Sequence, residues 1–163
     1  MTFKVGQKVV YPNHGVTVVE EIAPSRIDGT ERTCYHLRLL SGNSKVMVPK
    51  DNLDLVGLRP LCEAKEIRTL FSILENGSVE AQKDWKGRYK QNVEKMKTGR
   101  ITEVAEVLKN LRFVSQRKSL SFREKKMYER AKSFIVSEVA HVKGLTERDA
   151  EQRGRELHQP VGI

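Results

Sequence analysis

The sequence predicts an α+β chain of two domains, a small β-barrel or curled sheet followed by a compact all-α domain of about five helices. Three observations carry this. Up to about residue 57, apolar residues alternate in short runs bounded by turn residues. From about Pro60 they recur at intervals of three and four. Charge divides at the same place. Residues 1–57 carry seven Lys and Arg against six Asp and Glu, residues 58–143 twenty against eleven, and residues 144–163 three against four. The excess of a chain with net charge +9 therefore sits on the helical part, and an anionic partner is expected there.

The β part is assigned to residues 1–57. Lys8-Val9-Val10-Tyr11 reads as a strand stopped by Pro12-Asn13-His14-Gly15. Val16-Thr17-Val18-Val19 starts a second that runs through Glu20-Glu21 to Ile22. Asp28-Gly29 is a hairpin signal, because both residues tolerate positive φ. Tyr35 to Leu40 alternates and ends at Ser41-Gly42-Asn43, and Lys45-Val46-Met47-Val48 precedes Pro49. Short strands with turns about every ten residues suit a small barrel.

The helical domain is assigned to residues 58–145, joined by a linker around Asp54 to Pro60. Ile67, Leu70, Phe71 and Leu74 form one apolar stripe, stopped by Asn76-Gly77. Trp85, Tyr89, Val93 and Met96 form a second, ended by Thr98-Gly99. Ile101, Val104, Ala105, Leu108 and Leu111 form a third. Ser121-Phe122-Arg123-Glu124 is a capping-box sequence opening a fourth helix. That helix runs through Met127, Ala131, Phe134, Ile135 and Val139 to Gly144. Residues 146–163 read as a weak terminal helix, capped by Thr146, with an unstructured tail from His158.

Several function classes find no support. No run reaches the roughly 20 apolar residues that cross a bilayer, and the first residues lack a signal peptide's apolar core. A cytoplasmic chain with reduced thiols is expected, since Cys34 and Cys62 match no zinc spacing. His14, His36, His141 and His158 show no ligand spacing, and no phosphate loop or nucleophile elbow appears. A non-enzymatic protein without metal or cofactor is the expectation.

The segment 83–97 holds the single tryptophan, Trp85, among Lys86, Arg88, Lys90, Lys95 and Lys97, with only Asp84 and Glu94 to offset them. Cations neutralise phosphate regardless of sequence, and a flat ring stacks on or wedges against bases. The ordinary alternative makes Trp85 a core stripe residue and the cations a solvated face. Trp85 stands in the first turn of its helix, which favours partial exposure, with Tyr89 in the core. A second cluster, Arg117, Lys118, Arg123, Lys125, Lys126, Arg130 and Lys132, faces only Glu124 and Glu129.

These residues carry a family resemblance. Phe3-Lys4-Val5-Gly6, Val9-Val10-Tyr11-Pro12, His14-Gly15, Val48-Pro49 and Val56-Gly57-Leu58-Arg59 resemble the amino-terminal module of the bacterial CarD/CdnL transcription regulators. Trp85-Lys86-Gly87-Arg88-Tyr89-Lys90, with Asn92, Glu94 and Lys95, resembles their DNA-contacting helix. Ala105 to Leu111 and Leu120 to Met127 resemble the next two helices. The resemblance runs from about residue 3 to 142. It implies a Tudor/SH3-like β-barrel module that binds the β subunit of bacterial RNA polymerase. It also implies a helical domain on promoter DNA at the upstream edge of the bubble, where the tryptophan wedges into the minor groove and stabilises the open complex. Trp85, Lys86, Arg88, Lys90 and Lys125 are the DNA-contacting residues so implied. No base-reading motif is present, so sequence preference would come from deformability.

The polymerase-facing side departs from the family pattern. Ser25 stands where an arginine is frequent, with Arg26 one position on, and Met47 stands where a basic residue is frequent, with Lys45 two positions earlier on the same face. Arg26, Lys45 and Met47 are the expected polymerase contacts, Arg26 by a shifted loop. The polymerase-binding module of the transcription-repair coupling helicase is similar, but helicase motor motifs are absent from these 163 residues. A monomer is expected. Two rivals remain at this stage: an RNA-binding translation or ribosome factor, for which RNA outcompetes melted DNA, and a protein-only adaptor, for which Trp85 is dispensable.

Overall fold

The computed structural model describes residues 2–76 and 85–158 and divides the chain into two compact units, Met1–Leu61 and Cys62–Ile163. Gly77, Lys83, Asp84 and the tail 159–163 lie outside the described residues.

The first unit is a five-stranded antiparallel sheet in the order β4-β3-β2-β1-β5, comprising β1 (Lys8–Tyr11), β2 (Gly15–Ile27), β3 (Thr30–Leu39), β4 (Lys45–Pro49) and β5 (Arg59–Pro60). This is the small β module that the alternation predicts. β2 extends five residues past Ile22, where the sequence pattern fades. The reason lies at Asp28 and Gly29, whose φ values of 50° and 77° make a tight turn that pairs Ile27 with Thr30. The register shifts between Val19 and Glu21, leaving Glu20 as the extra residue of a bulge.

Phe3, Val9, Val19, Tyr35, Leu37, Val48, Leu53 and Leu58 form the core of this unit. Thr17 is fully buried and spends its hydroxyl on the Val9 carbonyl at 3.0 Å, so its burial leaves no donor unpaired. After β4 a 3₁₀ turn, Lys50–Asn52, leads into the one-turn helix α1 (Leu53–Val56). Gly57 ends α1 with φ 75°, and a Cβ there would meet the Pro12 ring at 3.3 Å. The chain then lays Arg59 and Pro60 against Val10 and Val9. The expected boundary after Gly57 therefore moves to Leu61, because the sequence just after it completes the sheet.

Among the described residues the second unit contains five helices: α2 (Ala64–Glu75), α3 (Trp85–Thr98), α4 (Ile101–Ser115), α5 (Phe122–Lys143) and α6 (Glu147–His158). The predicted stripes of α2, α4 and α5 are the buried ones. Ile67, Leu70 and Leu74 meet Ile101, Val104, Ala105, Leu108 and Leu111, with Met127, Ala131, Ile135 and Val139 completing the core. The Cys62 amide donates to the buried Glu138 carboxylate at 2.8 Å, tying the start of the unit to α5. Gly144 closes α5 at φ 66°.

α6 is less marginal than its thin apolar face suggests. Ala150 is small enough to enter the core, the Thr146 hydroxyl accepts from the Asp149 amide at 3.2 Å, and Glu151 pairs with Lys132 at 2.9 Å. Among the described residues no helix is long and apolar enough to cross a membrane. Cys34 and Cys62 are buried free thiols.

Leu111 is fully buried at the centre of the helical core. Leu111→Ala is expected to cost about 2–5 kcal/mol, read as a lower urea midpoint of the helical signal.

Candidate nucleic-acid interface

The surface of interest begins with an anion. Glu124 is the third residue of α5, where a capping box would send its side chain back to the Ser121 amide. Half of that box forms: the Glu124 amide donates to the Ser121 hydroxyl at 3.2 Å. The carboxylate turns instead toward α3 and is buried there.

Arg88 meets it with both prongs of the guanidinium, Nε to Oε2 at 2.9 Å and Nη2 to Oε1 at 3.2 Å. Arg88 is itself 4% exposed. The Trp85 indole N–H donates to Oε1 at 3.0 Å, and the Ser121 hydroxyl reaches the same oxygen at 3.4 Å. Burial on its own raises the Glu124 pKa. The hydrogen bonds and charge of Arg88, helped by Trp85 and Ser121, outweigh it, and the carboxyl titrates below its ordinary range.

The buried face of α3 is therefore Arg88, Asn92 and Met96, one position away from the expected stripe of Trp85, Tyr89, Val93 and Met96. Asn92 donates to the Asn110 side chain at 3.0 Å, and Lys95 reaches Glu106 at 2.9 Å, both on α4. Tyr89 and Val93 pack at the margin of the core. Trp85 is half-buried and stacks on Tyr89, with ring centroids 5.7 Å apart and planes 10° from parallel. One face of the indole is covered by tyrosine and its N–H is spent on Glu124. The ring is thus fixed rather than swinging on its linker bonds.

Of the five residues expected at DNA, the structure brings Trp85, Arg88 and the start of α5 together through Glu124. Arg88 is the correction. Expected beside Trp85 as a cation facing phosphate, it is buried and neutralised by a carboxylate. Lys86, Lys90 and Lys125 are exposed, and among the described residues Lys90 and Lys125 enter no ion pair. Sequence reading noticed Glu124 only as a cap and missed it as the anchor. The signal was available: Arg88, Asn92 and Met96 also stand at intervals of four.

The β unit separates its three expected contacts. Met47 pairs with His36, and Lys45 with Arg38, so both point to the face opposite Tyr35 and Leu37. Met47 is 41% exposed there. Ser25 pairs with Arg32 on that same face, its hydroxyl 3.3 Å from the His36 ring. Arg26 pairs with Glu31, one step along the pleat, and points to the other face. The hairpin runs without a shift at this level, so Arg26 does not take the place of Ser25. Lys45 and Arg38 both bond Glu20 at the bulge. The Arg38 hydrogen bond, with the Lys45 charge, holds the Glu20 carboxyl below its usual range.

Comparisons with known proteins cover both units. The family described as CarD-like/TRCF RID domain matches residues 3–62, and that described as CarD, C-terminal domain matches residues 69–153. A Bacillus subtilis (strain 168) protein named "Putative transcription factor YdeB" is 33% identical over 152 residues, which is 93% of this chain and 99% of that protein.

Glu124 favours its ionised form in the folded protein. Its contribution to stability is therefore full above the ordinary carboxylate range, about pH 4.3, and is lost as pH falls through the lowered folded value. Fluorescence of Trp85, the only tryptophan, should report that loss as an acid transition below the ordinary glutamate range. Glu124→Gln should lack this transition. At neutral pH it should be less stable by about 3–5 kcal/mol, since it leaves Arg88 buried without its anion. Replacing both partners by methionine should cost less than either single change.

Proposed function

The chain belongs to the CarD-like family of transcription factors, and from that premise we propose that it regulates initiation by binding the RNA polymerase β subunit and stabilising the open promoter complex. The β unit is the polymerase-binding module, and Lys45 and Met47 lie on its binding face with His36 and Arg38. Arg26, on the opposite face, joins them only if the partner wraps the tip of the hairpin. The helical unit contacts promoter DNA at the upstream edge of the bubble. Trp85 is the wedge, and Lys86, Lys90 and Lys125 meet phosphate. Arg88 acts through Glu124, as a positioning residue.

One observation carries this reading: a single tryptophan, half-exposed, clamped by a buried ion pair on a basic surface. The mechanism follows from differential binding. A contact equally strong in closed and open complexes shifts nothing. A rigid ring that fits only unstacked, widened DNA favours the open state. A preference of about 1–3 kcal/mol changes its occupancy several-fold or more. Phosphate contacts add affinity and set the position without choosing a sequence.

The deciding measurement is open-complex lifetime on a ribosomal RNA promoter with bacterial RNA polymerase. Intact protein should lengthen it, and Trp85→Ala, checked for folding, should remove most of the gain. No lengthening despite polymerase binding would sink the melted-DNA mechanism in favour of the adaptor. Displacement from forked DNA by single-stranded RNA at lower concentration would favour the RNA-binding reading. Lys90→Ala and Lys125→Ala should each flatten the plot of log affinity against log salt by about 0.9, whatever the DNA sequence.

A further inference from the structure

We propose that Phe122 is a second nucleic-acid contact, a ring that takes an unpaired base of the same melted DNA. The proposal rests on the open-complex reading and extends it to a residue with no assigned role.

Phe122 is 71% exposed, while the four other phenylalanines are buried or half-buried. It is the first residue of α5, two positions before the buried Glu124 and so about 200° round the helix from it. Its ring cannot reach the core that Met127, Ala131 and Ile135 build on the other side. Lys126, one turn on, places its ammonium 4.6 Å from the ring centre. That contact steadies the ring and leaves a cation beside it.

The surroundings select the occupant. Between Gln116 and Tyr128 the chain carries Arg117, Lys118, Arg123, Lys125 and Lys126, all exposed. The single carboxylate in that stretch, Glu124, is buried and already neutralised by Arg88. Glu129, one residue beyond and exposed, offsets part of this charge, so the surface presents an excess of positive charge near an exposed flat ring. An acidic protein would engage the cations and leave the ring in water. A nucleic acid engages both, phosphate on the cations and a base on the ring. Phe122 follows Ser121, whose hydroxyl shares one oxygen of Glu124 with the Trp85 indole, so the two rings belong to neighbouring parts of the same unit while Phe122 leaves its helix on the side away from Glu124. Paired bases are stacked on their own neighbours, so an exposed ring finds a free base face only where the duplex has opened.

The test uses the full chain and two DNA probes: a duplex with unpaired arms, carrying 2-aminopurine at the first unpaired positions, and its fully paired counterpart. Binding is read by anisotropy and stacking by 2-aminopurine quenching. Intact protein should prefer the fork and quench the probe. Phe122→Ala should lower fork affinity about tenfold, leave duplex affinity within about twofold and abolish quenching, and Phe122→Trp should restore both fork affinity and quenching. Because the side chain is exposed, the melting temperature of Phe122→Ala should match that of intact protein.

If Trp85→Ala loses fork preference while Phe122→Ala keeps it, the role of Phe122 is overturned and the reading of Trp85 stands. Equal loss on fork and duplex by Phe122→Ala also overturns it, since the ring would then take no unpaired base. Absence of fork preference in the intact protein overturns both. Displacement of the fork by equimolar single-stranded RNA of the same sequence overturns the assignment to DNA.

Discussion

A carboxylate taken out of water must be neutralised and hydrogen-bonded, or the fold loses several kcal/mol. Glu124 is such a group, and the geometry of the basic surface depends on how its oxygens are satisfied. Arg88 takes two of the bonds and Trp85 a third. This matters because α3 has little else to hold it. Its buried residues are Arg88, Asn92 and Met96, only one of them apolar. Apolar contact is non-directional and tolerates sliding. The buried bonds from Arg88 to Glu124 and the part-buried one from Asn92 to Asn110 are directional, so together they fix the rotation and register of α3. The direction in which Trp85 points is a consequence of that register.

The β unit shows the same use of charge on an exposed scale. Glu20 is pushed out at the bulge, and Arg38 on β3 and Lys45 on β4, the next strand but one, close on it from the same side. Two of the cations on that face are thereby partly compensated, and such exposed pairs contribute little to stability. If this face binds the partner proposed for it, their effect is on recognition. A partner that engages Lys45 must compete with Glu20, whereas Met47 offers apolar, adaptable surface without competition. Affinity at this face would then come more from Met47 and the strand backbone than from its lysine and arginine.

Periodicity made the fold readable wherever one face is plainly apolar. The stripes Ile67-Leu70-Leu74, Ile101 to Leu111 and Met127 to Val139 all lie in the core because apolar burial dominates those helices. It misread α3, where the winning face is polar. Two stripes compete there, Trp85-Tyr89-Val93-Met96 and Arg88-Asn92-Met96, and hydrophobicity alone chooses the first. The second wins because Glu124 supplies a buried anion from 36 residues away, a long-range term that no local pattern contains. Alternation also fixed the β strands but not the extent of the hairpin. A two-residue turn at Asp28-Gly29 forces pairing right up to it, so polar residues such as Ser25 and Arg26 are carried into the ladder. Strict alternation along that ladder, once its length is known, puts Arg26 and Met47 on opposite faces. Phe122 escaped notice because a lone phenylalanine beside a cap reads as core until its exposure is known.

For a protein that favours melted DNA, a rigid ring has a thermodynamic advantage over a mobile one. Ordering a free side chain on binding costs about 0.5–1.5 kcal/mol, which is comparable to the preference the mechanism needs. Glu124 and Tyr89 meet that cost during folding, when the indole N–H and one face are tied down. What remains of the ring is committed to one direction before any DNA arrives, so under the proposed function its interaction energy would discriminate open from closed rather than being spent on ordering. The same clamp would cap the affinity for ordinary duplex, because a fixed wedge cannot retract to suit a closed minor groove. High discrimination with modest affinity is tolerable only if something else brings the DNA close. If the β unit binds polymerase as proposed, it would do so by raising the effective concentration of the wedge at the promoter.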